Sequence, residues 1–370
     1  SSKRVAIKRQ RVNAKYESNE ARALRQLADG HPNIVKVDEI YYTCSRQHNL
    51  YQNIVMEHMP MSLYQYFGQG SGTQPNGITM SRTIAHSFIK QMLNGVGFVH
   101  ANGLMHRDLK PCNILVDPFS RPQRLKICDF GTTVSIFPYK EHLSFICSRY
   151  YRAPELLLGY SRYGLAVDLW GVGAIMMEFV TLHAIFPASP TRNHLDANGC
   201  DIFGECEAFQ VAMIHNVIGD PSNSDLPVIY NWMYNVPYPM KTRVMTYYFG
   251  GAQYGRRVHA VDFVDTLQTV IDVLDLPIIS MAKSLLKWNP VERPHCLALL
   301  NHPFLKSDFS TLANMWKEYK YGRLPHWKQG IFRDLGILDM MGRLMPDALK
   351  IARHSHPHHR LCEMMVRNMP

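Results

Sequence analysis

The feature that most constrains this chain is an octet near its middle, His106-Arg107-Asp108-Leu109-Lys110-Pro111-Cys112-Asn113. Two triplets follow it, Asp129-Phe130-Gly131 and Ala153-Pro154-Glu155. The octet combines an acid that can accept a hydroxyl proton, a lysine that can steady a phosphoryl group and an asparagine that can hold a metal ion. Phosphoryl transfer needs little else from a protein than positioned cations on the phosphates and an oriented acceptor for the attacking hydroxyl. The octet therefore predicts a phosphoryl-transfer site rather than a polar loop that only joins two helices.

The length of 370 residues suits two compact units, because domains commonly contain about 100–200 residues. Hydrophobic residues make up 46% of the chain and charged residues 19%, which is typical of a globular protein with a substantial core. The most apolar stretch, Ala166–Phe186, is interrupted by Asp168 and Glu178. A membrane span needs roughly 18–20 uninterrupted apolar residues, which this stretch does not provide. The start of the chain also shows no hydrophobic region of the secretory type. We therefore expect no membrane partner.

The eight cysteines include no Cys-x-x-Cys pair and no zinc-like spacing, which favours reduced thiols and a cytoplasmic or nuclear location. The net charge is +10, but the basic residues are dispersed and form no run of five. We expect this charge to serve solubility and the capture of acidic phosphorylated ligands, and we do not expect nucleic acid as a partner. Nucleic-acid association through the histidine- and arginine-rich tail is a minor alternative.

Strand patterns surround one helical pattern in the first sixty residues. A short strand is predicted at Val5–Ile7, a helix at 17–28, and further strands at 34–37, 39–43 and 50–56. Together they predict a small sheet with one helix, extending to about residue 59.

Helical patterns dominate after this point. Arg82–Ala101 carries apolar side chains on one side, and Val167–Thr181 is apolar on nearly every face, as expected of a central buried helix. The glycine-rich stretch 68–77 is predicted to be a surface linker, because it lacks the flanking strands of a phosphate-binding loop. The chain is therefore predicted to be an α+β protein with a small β-rich lobe at 1–59 and a large, mostly helical lobe at 60–306.

Residues 307–370 form an extension of mixed character that contains a histidine cluster. The cluster consists of His354, His356, His358 and His359, and Pro357 interrupts it. Because the spacing matches no familiar metal motif, a solvated tail is favoured over a transition-metal site.

On these motifs the chain resembles eukaryotic protein kinases over roughly residues 3–306. Lys8 closes Val5-Ala6-Ile7-Lys8, the form of the third-strand lysine in that family, and Glu20 matches the helical residue that holds it. The resemblance implies a two-lobe protein-kinase fold with ATP and Mg²⁺ bound between the lobes, and it implies that Lys8 contacts the α- and β-phosphates.

The same resemblance implies a role for each polar residue of the octet. Asp108 should accept or orient the proton of a substrate hydroxyl, and Lys110 should neutralise charge on the migrating phosphoryl group. Asn113 and Asp129 should hold two Mg²⁺ ions.

Further positions follow the family pattern. The backbones of Glu57 and Met59 should reach the adenine, next to Met56 as gatekeeper. In addition, the resemblance implies that His106 and Phe130 stack with Leu24 between the lobes, that Glu155 pairs with Arg293, and that Asp168 fixes the backbone of the octet.

The activation segment, 129–155, narrows the resemblance to the branch of cyclin-dependent, mitogen-activated and glycogen synthase kinases, with glycogen synthase kinase the most similar. Arg152 is typical of that branch. Ser148 matches the hydroxyl residue that bridges Asp108 and Lys110, which implies Ser/Thr substrates rather than Tyr.

Three departures from the pattern matter. Phe145 stands where glycogen synthase kinases carry the activation-loop tyrosine. Asn19 and Val134 replace two of the three basic residues that capture a priming phosphate, so only Arg107 remains and little preference for primed substrates is expected. Finally, only seven residues precede Lys8, too few for the hairpin of the glycine-rich loop. Because all the downstream polar residues are kept, an N-terminally incomplete kinase is favoured over a crippled variant.

The sequence thus predicts a Ser/Thr protein kinase that uses Mg·ATP on protein substrates, with a regulatory protein as a further expected partner. The alternative is a catalytically weak or silent kinase-fold scaffold, a pseudokinase, that binds protein partners.

Overall fold

The computed structural model describes residues 4–13, 17–68, 82–136, 141–186, 205–233 and 276–306. The histidine cluster, the rest of the C-terminal extension and all but Gly68 of the glycine-rich stretch lie outside these residues, so the expectations for them stay predictions. Within the described ranges, no helix is long and apolar enough to cross a membrane.

The small lobe is built on an antiparallel sheet of three strands, β1 (Val5–Arg11), β2 (Val37–Cys44) and β3 (Leu50–Glu57). The order is β1-β3-β2, so β3 lies in the centre. The register places Lys8 of β1 opposite Ile54 of β3. All three strands confirm strands predicted from the sequence. β1 continues to Arg11, well past its predicted end at Ile7, and the other two strands are slightly longer than predicted.

The predicted strand at 34–37 is wrong. Val37 begins β2, and Ile34 forms only an isolated parallel bridge with Ile127. The backbone N–H of Val35 donates to the Ile127 carbonyl at 2.9 Å, and both Ile34 and Val35 are buried. A short apolar run is compatible with either a strand or a buried connection. Here it leads into β2 and hydrogen-bonds to Ile127 of the large lobe.

One helix, α1 (Asn19–Gln26), packs against the sheet and confirms the helix predicted at 17–28. It begins after Ser18, whose hydroxyl accepts a hydrogen bond from the backbone N–H of Ala21 at 3.1 Å. Such a cap satisfies one of the N–H groups that a helix start leaves unpaired. Glu20 in the first turn is buried, so the cap also fixes the position of a charged side chain inside the lobe.

Helices dominate the large lobe, as predicted. Those described are α2 (Leu63–Tyr66), α3 (Arg82–Ala101), α4 (Pro154–Leu157), α5 (Ala166–Thr181), α6 (Glu205–Ile218), α7 (Leu226–Met233), α8 (Leu276–Leu285), α9 (Cys296–Leu300) and α10 (Pro303–Lys306). Short strands surround the octet, namely β4 (Met61–Ser62), β5 (Leu104–Met105), β6 (Ile114–Asp117), β7 (Arg124–Ile127) and β8 (Val134–Ser135). They form one sheet of order β4-β6-β7 and one β5-β8 pair.

Helix α5 lies at the centre of the large lobe, as its sequence predicted. Every residue from Val167 to Val180 is buried. A Cβ atom at Gly171 would come within 3.3 Å of the Leu109 carbonyl oxygen. The glycine therefore allows α5 to pack directly against the backbone of the octet, and this brings Asp168 beneath that loop.

Candidate active site

A cavity of about 240 Å³ lies between the three-stranded sheet, α1 and the β6–β7 hairpin. Four of the predicted site residues line it, namely Lys8, Glu20, Asn113 and Asp129. A larger cavity of about 550 Å³ lies between the C-terminal end of α1 and β2, but none of the predicted catalytic residues lines that one. The smaller cavity is therefore the candidate nucleotide site.

Lys8 forms hydrogen bonds in this cavity to residues of both lobes. Its Nζ donates to Oε1 of Glu20 at 2.8 Å and to Oδ1 of Asp129 at 2.7 Å. Glu20 comes from α1 of the small lobe, and Asp129 follows β7 of the large lobe. The side chain of Glu20 is 4% exposed, whereas those of Lys8 and Asp129 are partly open to solvent. A cation and two carboxylates thus face one space from both lobes.

The two ion pairs shift the pKa values of Lys8 and Asp129. Burial alone would lower the pKa of Lys8, but the hydrogen bonds and charges of Asp129 and Glu20 outweigh it and raise that pKa. Burial would likewise raise the pKa of Asp129, yet the hydrogen bond and charge of Lys8 hold it below its usual value. Lys8 is therefore a cation and Asp129 an anion at neutral pH.

Asp108 and its neighbours form a second cluster, joined to the first through Asn113. Lys110 Nζ donates to Oδ2 of Asp108 at 2.7 Å and to Oγ of Ser148 at 2.7 Å. Ser148 Oγ in turn donates to Oδ1 of Asp108 at 2.9 Å. Asn113 Nδ2 donates to the Asp108 carbonyl at 2.8 Å and to its Oδ2 at 3.0 Å. These contacts fix the orientation of a carboxylate that could receive a proton.

Asp168, buried at the start of α5, holds the backbone of the octet. Its carboxylate accepts hydrogen bonds from the backbone N–H groups of His106 and Arg107, both at 2.8 Å, and from Nε2 of His100 at 2.9 Å. Arg107 has a φ of 65°, in the left-handed region that side chains rarely adopt. The carboxylate therefore stabilises a backbone turn that costs energy, and it fixes the backbone that leads into Asp108.

The contact predicted between the lobes is present in part. The rings of His106 and Phe130 lie 5.1 Å apart, edge to face, and Leu24 lines the same cavity as Phe130. Asp129 itself has a φ of 62° and therefore, like Arg107, a strained backbone.

The activation segment is anchored by contacts between Arg152, Cys147 and Phe145. Arg152 donates to the Cys147 carbonyl at 3.0 Å, and its guanidinium lies 4.7 Å from the centre of the Phe145 ring. A cation placed over an aromatic face is attracted to it. Phe145 is 74% exposed, so it holds the arginine with its ring and not through burial.

Sequence reasoning missed the partner of Arg107, which is Tyr163. The guanidinium of Arg107 donates to the Thr132 carbonyl at 2.7 Å and to the hydroxyl of Tyr163 at 3.0 Å. The Tyr163 hydroxyl donates to the Leu143 carbonyl at 2.6 Å. No local pattern marks this tyrosine, because it lies 56 residues from Arg107 in the chain. Arg107 is therefore already engaged by neutral groups.

The pairing expected between Glu155 and Arg293 is present and buried. Two guanidinium nitrogens of Arg293 donate to the two carboxylate oxygens at 2.6 and 2.8 Å. Arg293 also donates to the carbonyls of Lys287, Ala166 and Trp288. The pair ties the end of the activation segment to α5 and to the segment after α8.

The two residues expected to bind adenine, Glu57 and Met59, lie outside the lining of the candidate cavity. The Glu57 carboxylate accepts one hydrogen bond from the Lys36 backbone N–H at 2.7 Å and forms an ion pair with Lys126 at 2.8 Å. Met59 is buried, and neither Glu57 nor Met59 lines the cavity, although Met56 does. The binding of adenine by these two backbones therefore stays a prediction.

The donor atoms present suit Mg²⁺. Asn113 uses its side-chain Nδ2 for Asp108, so its side-chain oxygen Oδ1 accepts no hydrogen bond from the described residues. Asp129 contributes carboxylate oxygens. Amide and carboxylate oxygens are the ligands that this hard cation prefers. No group of three or more His, Cys, Asp or Glu side chains suited to a metal occurs in the part of the chain that the structure describes. Any bound ion would thus need oxygens from its nucleotide as well.

Three curated proteins are similar to this chain. Protein kinase gsk3 of Schizosaccharomyces pombe is 29% identical over 305 residues, covering 82% of this chain and 68% of its own length. The serine/threonine-protein kinase RIM11/MSD1 of Saccharomyces cerevisiae is 32% identical over 61% of this chain and 55% of its own length. Glycogen synthase kinase 1 of Pyricularia oryzae is 31% identical over 61% and 52%. The chain thus spans from about half to two thirds of these relatives, and the resemblance to glycogen synthase kinases is confirmed.

The fold is also found in a solved structure. A crystal structure of the yeast RNA Pol II CTD kinase CTDK-1 complex matches with a TM-score of 0.60 at 24% identity, covering 82% of this chain and 84% of that one. This match confirms the two-lobe fold, with a β-sheet in the small lobe and helices in the large one. A family model described as a protein kinase domain matches residues 1–305, a range that contains every polar residue of the site described above. The chain belongs to the protein kinase family.

Proposed function

We propose that this chain is a serine/threonine protein kinase that transfers the γ-phosphoryl group of Mg·ATP to hydroxyl groups of proteins. The observation that carries the proposal is that two polar clusters are linked through Asn113. Lys8, Glu20 and Asp129 form the first, and Asp108 with Lys110 forms the second. Asn113 lines the cavity and also bonds to Asp108, so the second cluster borders the same space.

Each residue has a task that its geometry supports. The Asp108 carboxylate, oriented by Lys110 and Ser148, accepts the proton of the attacking hydroxyl. Lys110 lies 2.7 Å from that carboxylate and can stabilise negative charge on the phosphoryl group as it moves. Lys8, held by Glu20, binds phosphate oxygens. Its contact to Asp129 keeps both side chains in the cleft before nucleotide arrives.

Asn113 and Asp129 are the residues that would hold Mg²⁺. When bound, the ion neutralises charge on the phosphates and fixes their orientation. The protein's own contribution is to place two hard oxygen ligands beside the same cavity, one just before β6 and one just after β7.

The choice of serine and threonine as acceptors is supported by Ser148. Its hydroxyl and its backbone N–H both donate to Oδ1 of Asp108, at 2.9 and 3.0 Å. With the hydrogen bond from Lys110 to the Ser148 hydroxyl, these contacts form the bridge between Asp108 and Lys110 that the family resemblance associates with Ser/Thr rather than Tyr substrates. The named relatives are kinases, and no contact in the described residues favours the alternative of a silent scaffold.

A reducing compartment, cytoplasmic or nuclear, is part of the same proposal. Five cysteines fall in the described ranges with their side chains characterised, namely Cys44, Cys112, Cys128, Cys147 and Cys296, and all are free thiols. Free thiols persist where disulfides are kept reduced. A regulatory protein partner stays a proposal as well.

The deciding experiment measures phosphate transfer from labelled Mg·ATP to a generic basic protein. The chain should label serine or threonine, and both Asp108→Asn and Asp129→Ala should reduce the rate by a factor of about a hundred or more. Asp117→Ala is the matched control, because Asp117 lies at the end of β6 and pairs with Arg124 outside the cleft. Labelling that survives Asp108→Asn, or no labelling at any Mg·ATP concentration, would contradict the proposal.

A further inference from the structure

A chain of hydrogen-bonded polar side chains, one buried and two half-buried, lies beneath the start of α1. Gln10 is on β1, Gln52 is opposite it on β3, and Ser18 caps the helix. Gln52 is fully buried, with 0% of its surface exposed. An amide in such a position is unfavourable unless it is hydrogen-bonded, and Nε2 of Gln52 has no partner among the described residues. The presence of this side chain inside a small sheet therefore calls for a physical reason.

Lys8 and Gln10 point to the same face of β1, because side chains two apart on a strand share a face. Both reach the same carboxylate. Lys8 donates to Oε1 of Glu20 at 2.8 Å, and Gln10 Nε2 donates to Oε2 at 3.2 Å. Glu20 is therefore held from two sides, and only one of these sides was expected from the family pattern.

The second proton of the Gln10 amide continues the chain. Gln10 Nε2 donates to Oε1 of Gln52 at 3.2 Å, and the same oxygen accepts from Ser18 Oγ at 2.6 Å. Ser18 Oγ accepts from the Ala21 backbone N–H in the first turn of α1 at 3.1 Å. Hydrogen bonds thus run without a break from the capped helix start to the carboxylate that holds Lys8.

We propose that Gln10, Gln52 and Ser18 are positioning residues for the phosphate-binding pair. They fix the rotation of the Glu20 carboxylate and the start of the helix that carries it, so that Oε1 faces Lys8. The inference rests on the proposed kinase function for its effect on activity, but the coupling of Gln10 to Glu20 is a property of the fold.

The physical argument turns on the two oxygens of Glu20. With only Lys8 as a donor, the carboxylate could rotate about its terminal torsion, which has a broad energy profile. Lys8 also contacts Asp129, so if Glu20 rotated away, Asp129 would be the remaining carboxylate partner and the Lys8 ammonium would shift toward it. Gln10 removes this freedom because it occupies Oε2, and Gln52 with Ser18 fixes Gln10 in turn.

The test uses Gln10→Met, which keeps the size of the side chain and removes both donors. We expect kcat/KM for Mg·ATP to fall about tenfold, the size expected for one hydrogen bond to a charged group. Gln47→Met is the matched control, because Gln47 lies exposed in the turn between β2 and β3. It should leave kcat/KM unchanged.

A double-mutant cycle separates positioning from a merely structural role. If Gln10 acts through Glu20, Gln10→Met should have little further effect on kcat/KM in a Glu20→Gln background. A tenfold loss in both backgrounds would overturn the inference. The same cycle is measured by urea unfolding, where the two substitutions should be coupled by a factor of about five to ten in the unfolding equilibrium constant.

The two readouts also separate this inference from the proposed function. A chain without any kinase activity but with coupled unfolding would refute the proposed function and support the positioning of Glu20. Additive effects on unfolding would overturn the positioning, whether or not the chain is active.

Discussion

Replacing Asp168 by asparagine would convert one oxygen of a buried carboxylate into an amide nitrogen and remove its charge. The present carboxylate accepts three hydrogen bonds at 2.8–2.9 Å, two from the backbone of the octet and one from His100. An asparagine can offer one oxygen only. Whichever way the amide is turned, its NH₂ group faces a donor, and at least one N–H of the octet loses its acceptor.

The size of the effect follows from these contacts. A hydrogen bond to a charged group contributes about 1.5–3 kcal/mol, and a buried donor left without a partner costs about 1–3 kcal/mol. Asp168→Asn should therefore lower the free energy of unfolding by about 3–5 kcal/mol at neutral pH. This is a large part of the roughly 5–15 kcal/mol that stabilises a typical domain.

The effect should depend on pH with a definite sign. Burial would raise the pKa of Asp168, but the hydrogen bond from His100, the charges of His100 and His106 and the backbone N–H of Arg107 hold it below its usual value. A depressed pKa stabilises the folded state above the unfolded-state pKa of about 3.9, and this contribution is lost as the pH falls through the folded-state pKa. The difference between wild type and variant should thus be full at neutral pH and shrink below about pH 4.

Urea unfolding from about pH 7 down to about pH 3 measures this difference, and other carboxylates that titrate in the range affect both proteins alike. Asp29→Asn is the control, because Asp29 lies exposed beyond the C-terminal end of α1 and should behave like the wild type. A variant as stable as the wild type at neutral pH, or a difference that stays constant down to pH 3, would refute the role given to Asp168.

Three further predictions test other parts of the site. Ser148→Ala should lower kcat because the hydroxyl that orients Asp108 is lost, whereas Ser148→Thr should retain most of the wild-type kcat. Equal losses of kcat for the two variants in steady-state assays would argue against this contact. Peptides with and without a priming phosphate should be phosphorylated with kcat/KM values within about tenfold of each other, because Arg107 already donates to neutral groups. A preference of about a hundredfold for the primed peptide would contradict this. Arg293→Met should lower the free energy of unfolding by about 3–5 kcal/mol because it leaves the buried Glu155 carboxylate unpaired. Urea unfolding should show that adding Glu155→Gln restores part of that loss, and a further additive loss would count against the pairing.

The sequence predicted those parts of the molecule whose signals are local. The octet is one continuous stretch, so its polar side chains had to lie near one another whatever the rest of the chain did. The periodic apolar pattern of α3 predicted its bounds, and the uniformly apolar α5 was predicted to lie at the centre, because burial of such surface dominates folding. The placement of Lys8 against Glu20 was expected from the family pattern, and the structure brings the two side chains together.

The sequence did not predict contacts between distant positions that lack a motif. Gln10 and Gln52 lie 42 residues apart and become neighbours only through the register of β1 with β3. Arg107 and Tyr163 meet only because α5 and the activation segment pack around the octet. The wrong strand at 34–37 has a related cause, since periodicity alone cannot separate a short buried strand from a buried connection.

The Lys8 cluster and the Asp108 cluster are fixed by contacts from different parts of the chain. This difference predicts which substitutions should change nucleotide binding and which should change the rate of the chemical step. Lys8 bridges a carboxylate of the small lobe and one of the large lobe, so its position depends on how α1 lies relative to β7. Asp108 receives its hydrogen bonds from the octet and from Ser148, so its position depends on the octet and on the activation segment. Because each cluster is fixed mainly by its own contacts, changes near α1 should alter KM for the nucleotide, and changes at 141–152 should alter kcat. A substitution near α1 that lowered kcat alone would mean that the two clusters move as one unit.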